Sequence, residues 1–180
     1  MDINQIKKII KESYLKEIGD LKNTQSYNFT QVDSDTWEFD TDFGKVKVEF
    51  EDLGIPTNWK DKGLEFKVKH NNYDYSQEMY NVFYAIDNVT SQIQKTNYKE
   101  LLKIINTVVK IIDVFIKQKS PYSLIIAGVD KKGTSTTDKQ KNTLYLTIAS
   151  KHLPPGYRIS EIKIISGGFG NDGYILFKDK

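Results

Sequence analysis

Apolar residues fall at two different spacings along this chain, and the switches between them mark out its elements. Between residues 98 and 119, Leu101, Leu102, Ile105, Val108, Val109, Ile112, Phe115 and Ile116 recur at the spacing of one helix face. Ile104, Ile111 and Val114 widen that face, and Lys99, Lys103, Asn106, Lys110, Asp113 and Lys117 make one narrow polar stripe. So little polar surface predicts a mostly buried helix. Asn97 is suited to cap its start, with Glu100 three residues on completing a capping box. Ser120-Pro121 ends it, because a proline ring disfavours helical geometry at the residue before it.

Ile3, Ile6, Ile10 and Tyr14 predict an amphipathic N-terminal helix over residues 2–18, stopped at Gly19. From residue 27 to 70 the period changes to two. Phe29, Trp37 and Phe39 open a strand region, and Val46, Val48 and Phe50 alternate with Lys45, Lys47 and Glu49 as in a half-buried strand. Thr41-Asp42-Phe43-Gly44 between them reads as a hairpin turn. Leu64, Phe66 and Val68 alternate again, so this region is expected to form an antiparallel meander. Asn71, Asn72, Tyr73, Asp74, Tyr75 and Tyr80 read as a polar aromatic loop, and residues 82–86 could be a fourth strand.

Beyond the long helix, residues 124–127 predict a short buried strand. Residues 130–137 predict a polar loop, and Leu144, Tyr145, Ile148 and Ala149 the face of another helix, capped by Asp138 and stopped at Pro154-Pro155. Two strands follow, at 157–165 and 174–177, with residues 167–173 as the hairpin loop. The expected fold is therefore α+β: an N-terminal helix, an antiparallel β-meander, a long central helix, then β-α-β-β, in one domain spanning residues 1–180.

Composition narrows the chemistry. There is no cysteine, which removes thiol catalysis and cysteine-based metal sites. The net charge is +2, and Arg158 is the only arginine among 26 basic residues. Dedicated readers of phosphate and guanine lean on the planar arginine fork, so a nucleic-acid binder here would work through lysine. Met1-Asp2 opens a polar segment rather than a secretory leader, and no apolar run approaches a membrane span.

Several motifs look chemical. Gly168-x-Gly170-x-x-Gly173 spells a dinucleotide fingerprint, but strand residues rather than a helix follow it. Asp42-Phe43-Gly44 matches a kinase triplet without the companion loops. Asp33, Asp35, Glu38, Asp40 and Asp42 lack the glycine and distal glutamate of a calcium loop. His70 and His152 are the only histidines, and no serine sits in a Gly-x-Ser-x-Gly elbow. No metal site and no cofactor are expected. The one anion-binding candidate is the loop holding Lys131, Lys132, Gly133, Thr134, Ser135 and Thr136, ahead of a helix start.

Two resemblances enter in the C-terminal half. The run from Ile105 to Ile116, followed by Pro121, Ile125-Ile126-Ala127, Lys141-x-x-Leu144-Tyr145 and Gly156-Tyr157, resembles a group of small uncharacterised proteins of tailed bacteriophages. That resemblance implies a phage or prophage origin, and a place in the virion or the host cytoplasm. The succession of helix, buried strand, a helix with Asn142-x-Leu144-Tyr145, and Gly156-Tyr157 is similar to the end of GNAT-type N-acetyltransferases. It implies Tyr145 as the acid that protonates a departing thiolate. The family's glycine-containing acyl-CoA loop is replaced here by Gln92-Ile93-Gln94-Lys95-Thr96-Asn97.

With 11 Tyr, 9 Phe and 2 Trp, the chain is rich in the side chains that suit protein interfaces. The expected function is a non-catalytic phage protein that binds another protein, as a virion component or a host-factor binder. Trp59, Tyr73, Tyr75 and Tyr80 are its expected interface. An atypical acyltransferase and a lysine-based nucleic-acid binder are the alternatives.

Overall fold

The computed structural model describes residues 25–62, 64–86, 98–126, 150, 153–166 and 169–179. The expected helix at residues 2–18 lies outside the described residues, as does most of the helix expected from Asp138 to its stop at Pro154-Pro155, of which Ser150 is described and helical. What is described is α+β: an eight-stranded mixed sheet and the helix α1, Tyr98–Lys119. The strands are β1 Thr30–Asp33, β2 Thr36–Thr41, β3 Gly44–Gly54, β4 Leu64–Val68, β5 Met79–Ile86, β6 Ser123–Ile126, β7 Tyr157–Ser166 and β8 Phe169–Lys178. A 3₁₀ helix, Pro56–Lys62, precedes β4.

The strand order is β1-β2-β3-β5-β6-β8-β7-β4. Neighbours are antiparallel except β5 and β6, which run parallel through Met79–Ser123, Tyr80–Leu124 and Asn81–Ile125. Parallel neighbours need a crossover, and α1 supplies it. Its apolar stripe closes one face of the sheet: Ile104, Val108, Ile111, Ile112, Phe115 and Ile116 pack on Trp37, Phe39, Val46, Val48, Phe50, Val82, Leu124 and Leu176. Asn106, placed by periodicity on the polar stripe, is buried as well. Tyr27, in the segment ahead of β1, lies against α1, with its N–H donating to Thr107 Oγ1 at 2.9 Å. Its hydroxyl donates to Glu100, the residue expected to complete a capping box; Asn97 lies outside the described residues.

The meander expectation needs correction at β4. β2, β3 and β5 are consecutive neighbours, but β4 pairs with β7 at the far edge of the sheet. The chain leaves β3 at Gly54, passes through the 3₁₀ helix to that edge, and returns through residues 69–78 to β5. Alternation says which face a side chain takes and not which strand it pairs with, so the sequence pattern could not reveal this excursion.

The excursion carries a second core on the face opposite α1. Trp59, Phe66, Tyr73, Met79, Ile125, Ile162, Ile175 and Phe177 form it. The period of two sorts the strands cleanly: Leu124 and Leu176 face the helix, and Ile125, Ile175 and Phe177 face away. β8 begins at Phe169, earlier than expected, with Ser166 paired to Phe169. Residues 169–173 are therefore strand and not hairpin loop, and two glycines of the fingerprint motif, Gly170 and Gly173, sit in a β-ladder. No helix N-terminus is there to receive a pyrophosphate.

Candidate functional site

The four expected interface aromatics do not form one surface. Trp59 and Tyr73 are core residues, 8% and 5% exposed, and this corrects their reading as interface groups. Trp59 Nε1 donates to Leu53 O at 3.1 Å, and its ring meets Phe66 edge-on at 5.6 Å. The Tyr73 hydroxyl lies 3.0 Å from Ser123 Oγ. Burial pushes Tyr73 up to about 12, against a smaller opposing effect of the Ser123 hydrogen bond. Tyr75 is half-buried, and its hydroxyl accepts the Val68 N–H at 3.0 Å. Tyr80 is on the other face, edge-on to Phe115 at 5.3 Å, and burial raises its pKa too. The polar loop of residues 71–78 is thus the lid of a core. An aromatic-rich loop reads the same in sequence whether its rings point inward or outward.

The remaining sequence candidates are quickly placed. Lys131, Lys132, Gly133, Thr134, Ser135, Thr136, Tyr145 and His152 lie outside the described residues, as does the segment of residues 92–97. His70 Nδ1 accepts the Asn72 N–H at 3.3 Å, and its ring lies 5.3 Å from Phe177. Three of the five residues of the acidic run have partners. Asp33 accepts the Asp35 N–H at 2.9 Å, which lowers its pKa. Asp35 lies 3.3 Å from Lys119, and Glu38 lies 3.0 Å from Lys45. Among the described residues no three His, Cys, Asp or Glu side chains are grouped to hold a metal ion.

Two features were not anticipated. The first is a cleft of about 470 Å³ where the end of α1 meets the start of β7 and the end of β8. Ile116, Pro154, Pro155 and Tyr157 line it, with Lys117, Ser120 and Lys178 also at its walls. Its polar groups hold the chain together. Lys178 Nζ donates to Ser120 O at 2.6 Å and lies 2.9 Å from Ser120 Oγ, the Tyr157 hydroxyl donates to Pro121 O, and Arg158 pairs with Asp179. Burial pushes Tyr157 up to about 12. The cleft is a braced junction, with the Tyr157 hydroxyl and the Lys178 ammonium already committed to carbonyls and Lys117 paired with Asp113.

The second is the face of β2, β3 and β5 opposite α1. Asp40, Lys45, Glu49, Glu51 and Phe83 are exposed there, with Lys45–Glu38 at 3.0 Å and Lys47–Glu49 at 2.5 Å. Phe83 is the apolar member of this charged field, 42% exposed and paired in register with Glu49. The signal was present in sequence. If Val82 faces a core, strict alternation turns Phe83 to the other side.

No family model, no curated protein and no solved structure matches the chain.

Proposed function

We propose that this chain is a non-catalytic phage protein that works by binding another protein, as a virion component or a host-factor binder, in the virion or the host cytoplasm. The observation that carries the reading is Phe83. A large aromatic side chain stands 42% exposed on a strand face, directly opposite Glu49 of β3 and diagonal to Lys47 and Glu51. An apolar anchor beside exposed charges is an arrangement suited to a binding patch, where the anchor supplies affinity and the charges supply register. Neighbouring ion pairs on that face are solvent-exposed and add little stability of their own.

The test is affinity capture from the phage-infected host with the wild-type chain and with Phe83→Asp in parallel. Asp at position 83 stands opposite Glu49 and is a poor strand residue, so circular dichroism first establishes that Phe83→Asp is folded. A stoichiometric protein partner that the wild type retains and Phe83→Asp loses is the expected result. A partner retained equally by both chains places binding elsewhere, and recovery of no stoichiometric protein removes the reading.

The acyltransferase alternative draws on one observation, the parallel β5-α1-β6 unit, which is in keeping with the architectural half of the resemblance to acetyltransferases. Shared architecture does not confer activity. Titration calorimetry with acetyl-CoA tests it; absence of heat at millimolar ligand removes it. A lysine-based nucleic-acid binder is tested by its salt dependence, since affinity for labelled DNA or RNA must fall steeply as salt rises.

A further inference from the structure

β4 is the last strand of the sheet, and among the described residues no strand lies beyond it. Its backbone groups alternate in direction. The Lys69 N–H reaches across to Glu161 O of β7 at 3.0 Å, whereas the Val68 N–H is met by the Tyr75 hydroxyl at 3.0 Å. Val68 therefore points its N–H away from β7, and so, by the two-residue period, do Phe66 and Leu64. An open edge of this kind is a template for another strand. Among the described residues, the cap on this edge is Tyr75, at the Val68 end.

We infer that β4 is a self-association edge: two copies of this chain pair β4 with β4, antiparallel, about a two-fold axis at Phe66. The occupant is a second copy because the strand sequence Leu64-Glu65-Phe66-Lys67-Val68 complements itself in that register. Glu65 stands opposite Lys67 of the second copy, and Lys67 opposite its Glu65. Unlike charges directly across a ladder stabilise it, and like charges do the reverse. Moving the axis to Glu65 or to Lys67 sets like charges opposite one another, so the centred register is the one the charges select.

Two further observations favour it. Glu65 and Lys67 pair with each other at 2.6 Å within one copy, and their side chains are 50% and 64% exposed, so they can exchange partners without burying a charge. Lys67 also stands directly opposite Lys163 of β7. A carboxylate arriving on its other side offsets that repulsion. Full pairing displaces the Tyr75 hydroxyl from Val68, whose N–H then bonds to the second copy. This edge is separate from the Phe83 face, so the inference stands apart from the binding function proposed above.

The experiment is a charge swap read by sedimentation or native mass. The wild type is expected to pass from 20.8 kDa toward twice that mass as concentration rises from micromolar to millimolar. Glu65→Lys and Lys67→Glu each set like charges across the axis and are expected to stay at the single mass. Mixed in equal amounts they form the 1:1 pair, because each supplies the charge the other lacks. Circular dichroism confirms that both variants are folded. Tyr75→Phe, which frees the Val68 N–H in both copies, is expected to tighten self-association about tenfold. A wild type that stays at the single mass throughout overturns the inference. So does a dimer indifferent to both single substitutions, or a mixture that fails to pair.

Discussion

Phe50 of β3 and Phe115 of α1 stack face to face, with ring centroids 3.9 Å apart and planes 7° from parallel. Trp37 meets both rings edge-on, at 5.3 Å from Phe50 and 6.0 Å from Phe115. This trio joins the helix to the sheet, and Phe115 has no exposed surface. Phe115→Ala removes the middle of the stack and leaves a cavity that α1 can close only by tilting. The expected loss is about 3–5 kcal/mol. Phe115→Leu fills most of the space and is expected to cost less than half as much. Chemical denaturation with an unchanged slope checks both. A Phe115→Ala loss under about 1 kcal/mol would mean that the helix does not seat on the sheet as described.

The second core sets an alkaline limit. Tyr73 is buried among Phe66, Tyr122 and Phe177, and burial pushes it up to about 12 from an ordinary 10.0. Between those values the folded chain keeps the phenol proton and the unfolded chain releases it. The unfolded state then binds fewer protons, so stability falls as pH rises through the window and is fully present below pH 10. Tyr157, also pushed up to about 12, adds to the same slope. Thermal melts from pH 9 to 12 are expected to show a steep fall in Tm for the wild type. Tyr73→Phe is expected to be less stable by about 1 kcal/mol at neutral pH, because Ser123 loses a partner, with a shallower alkaline fall. Equal slopes for the two chains would show that Tyr73 keeps no proton that the unfolded chain loses.

Much of this fold was legible in the residues, and the misses have physical causes. The bounds of α1, the β2–β3 hairpin at Thr41-Asp42-Phe43-Gly44, and the strands at Leu124 and Tyr157 follow from periodicity and turn chemistry, which are local. The position of β4 depends on pairing over about a hundred residues, from Val68 to Ile162, and no local pattern encodes it. Trp59 and Tyr73 were misread for a related reason. A tyrosine on a polar loop is drawn inward when its hydroxyl finds a buried partner, and Ser123 lies 50 residues away. Phe83 is the opposite case. Its exposure follows from alternation once its strand is granted, but its apolar character conceals that in a residue-by-residue reading.

Ser120 and Gly156 both adopt left-handed backbone geometry, at φ 49° and φ 79°. Gly156 follows Pro155 in a turn closed by Tyr157 N–H to Pro154 O at 3.1 Å. That is the type II pattern, which wants glycine at its third position. A Cβ at Gly156 would meet no atom within 4 Å, so Gly156→Ala isolates the backbone cost. The expected loss is about 1 kcal/mol. Ser120 ends α1 with its N–H on Ile116 O at 2.9 Å, a position where glycine is the usual residue. Ser120→Gly relieves the Cβ but gives up the Lys178 contact to its hydroxyl, leaving the Lys178 bond to the carbonyl in place. A gain of about 0.5 kcal/mol is expected, opposite in sign to Gly156→Ala. Thermal denaturation of the two variants side by side reads the sign directly.

The segment ahead of β1 is held to α1 by Tyr27, and Thr107 is the residue that makes this specific. Thr107 is fully buried in mid-helix, where its hydroxyl donates to Lys103 O at 2.7 Å and accepts the Tyr27 N–H at 2.9 Å. The Tyr27 ring stacks on Phe39 at 5.6 Å, with Lys103 Nζ 3.9 Å above it. Burial, and then the Glu100 carboxylate beside it, hold the Tyr27 phenol well above its ordinary range. Thr107→Val keeps the shape and removes the acceptor, so the Tyr27 N–H is left without its partner. The expected cost is about 1–3 kcal/mol, with amide exchange at Tyr27 accelerated in proportion. Tyr27→Phe keeps the ring packing and loses the hydroxyl bond to Glu100, so it is expected to cost less than Thr107→Val and to leave the backbone amide protected. If Thr107→Val instead left both stability and Tyr27 exchange unchanged, the segment would not be docked on α1 through this bond.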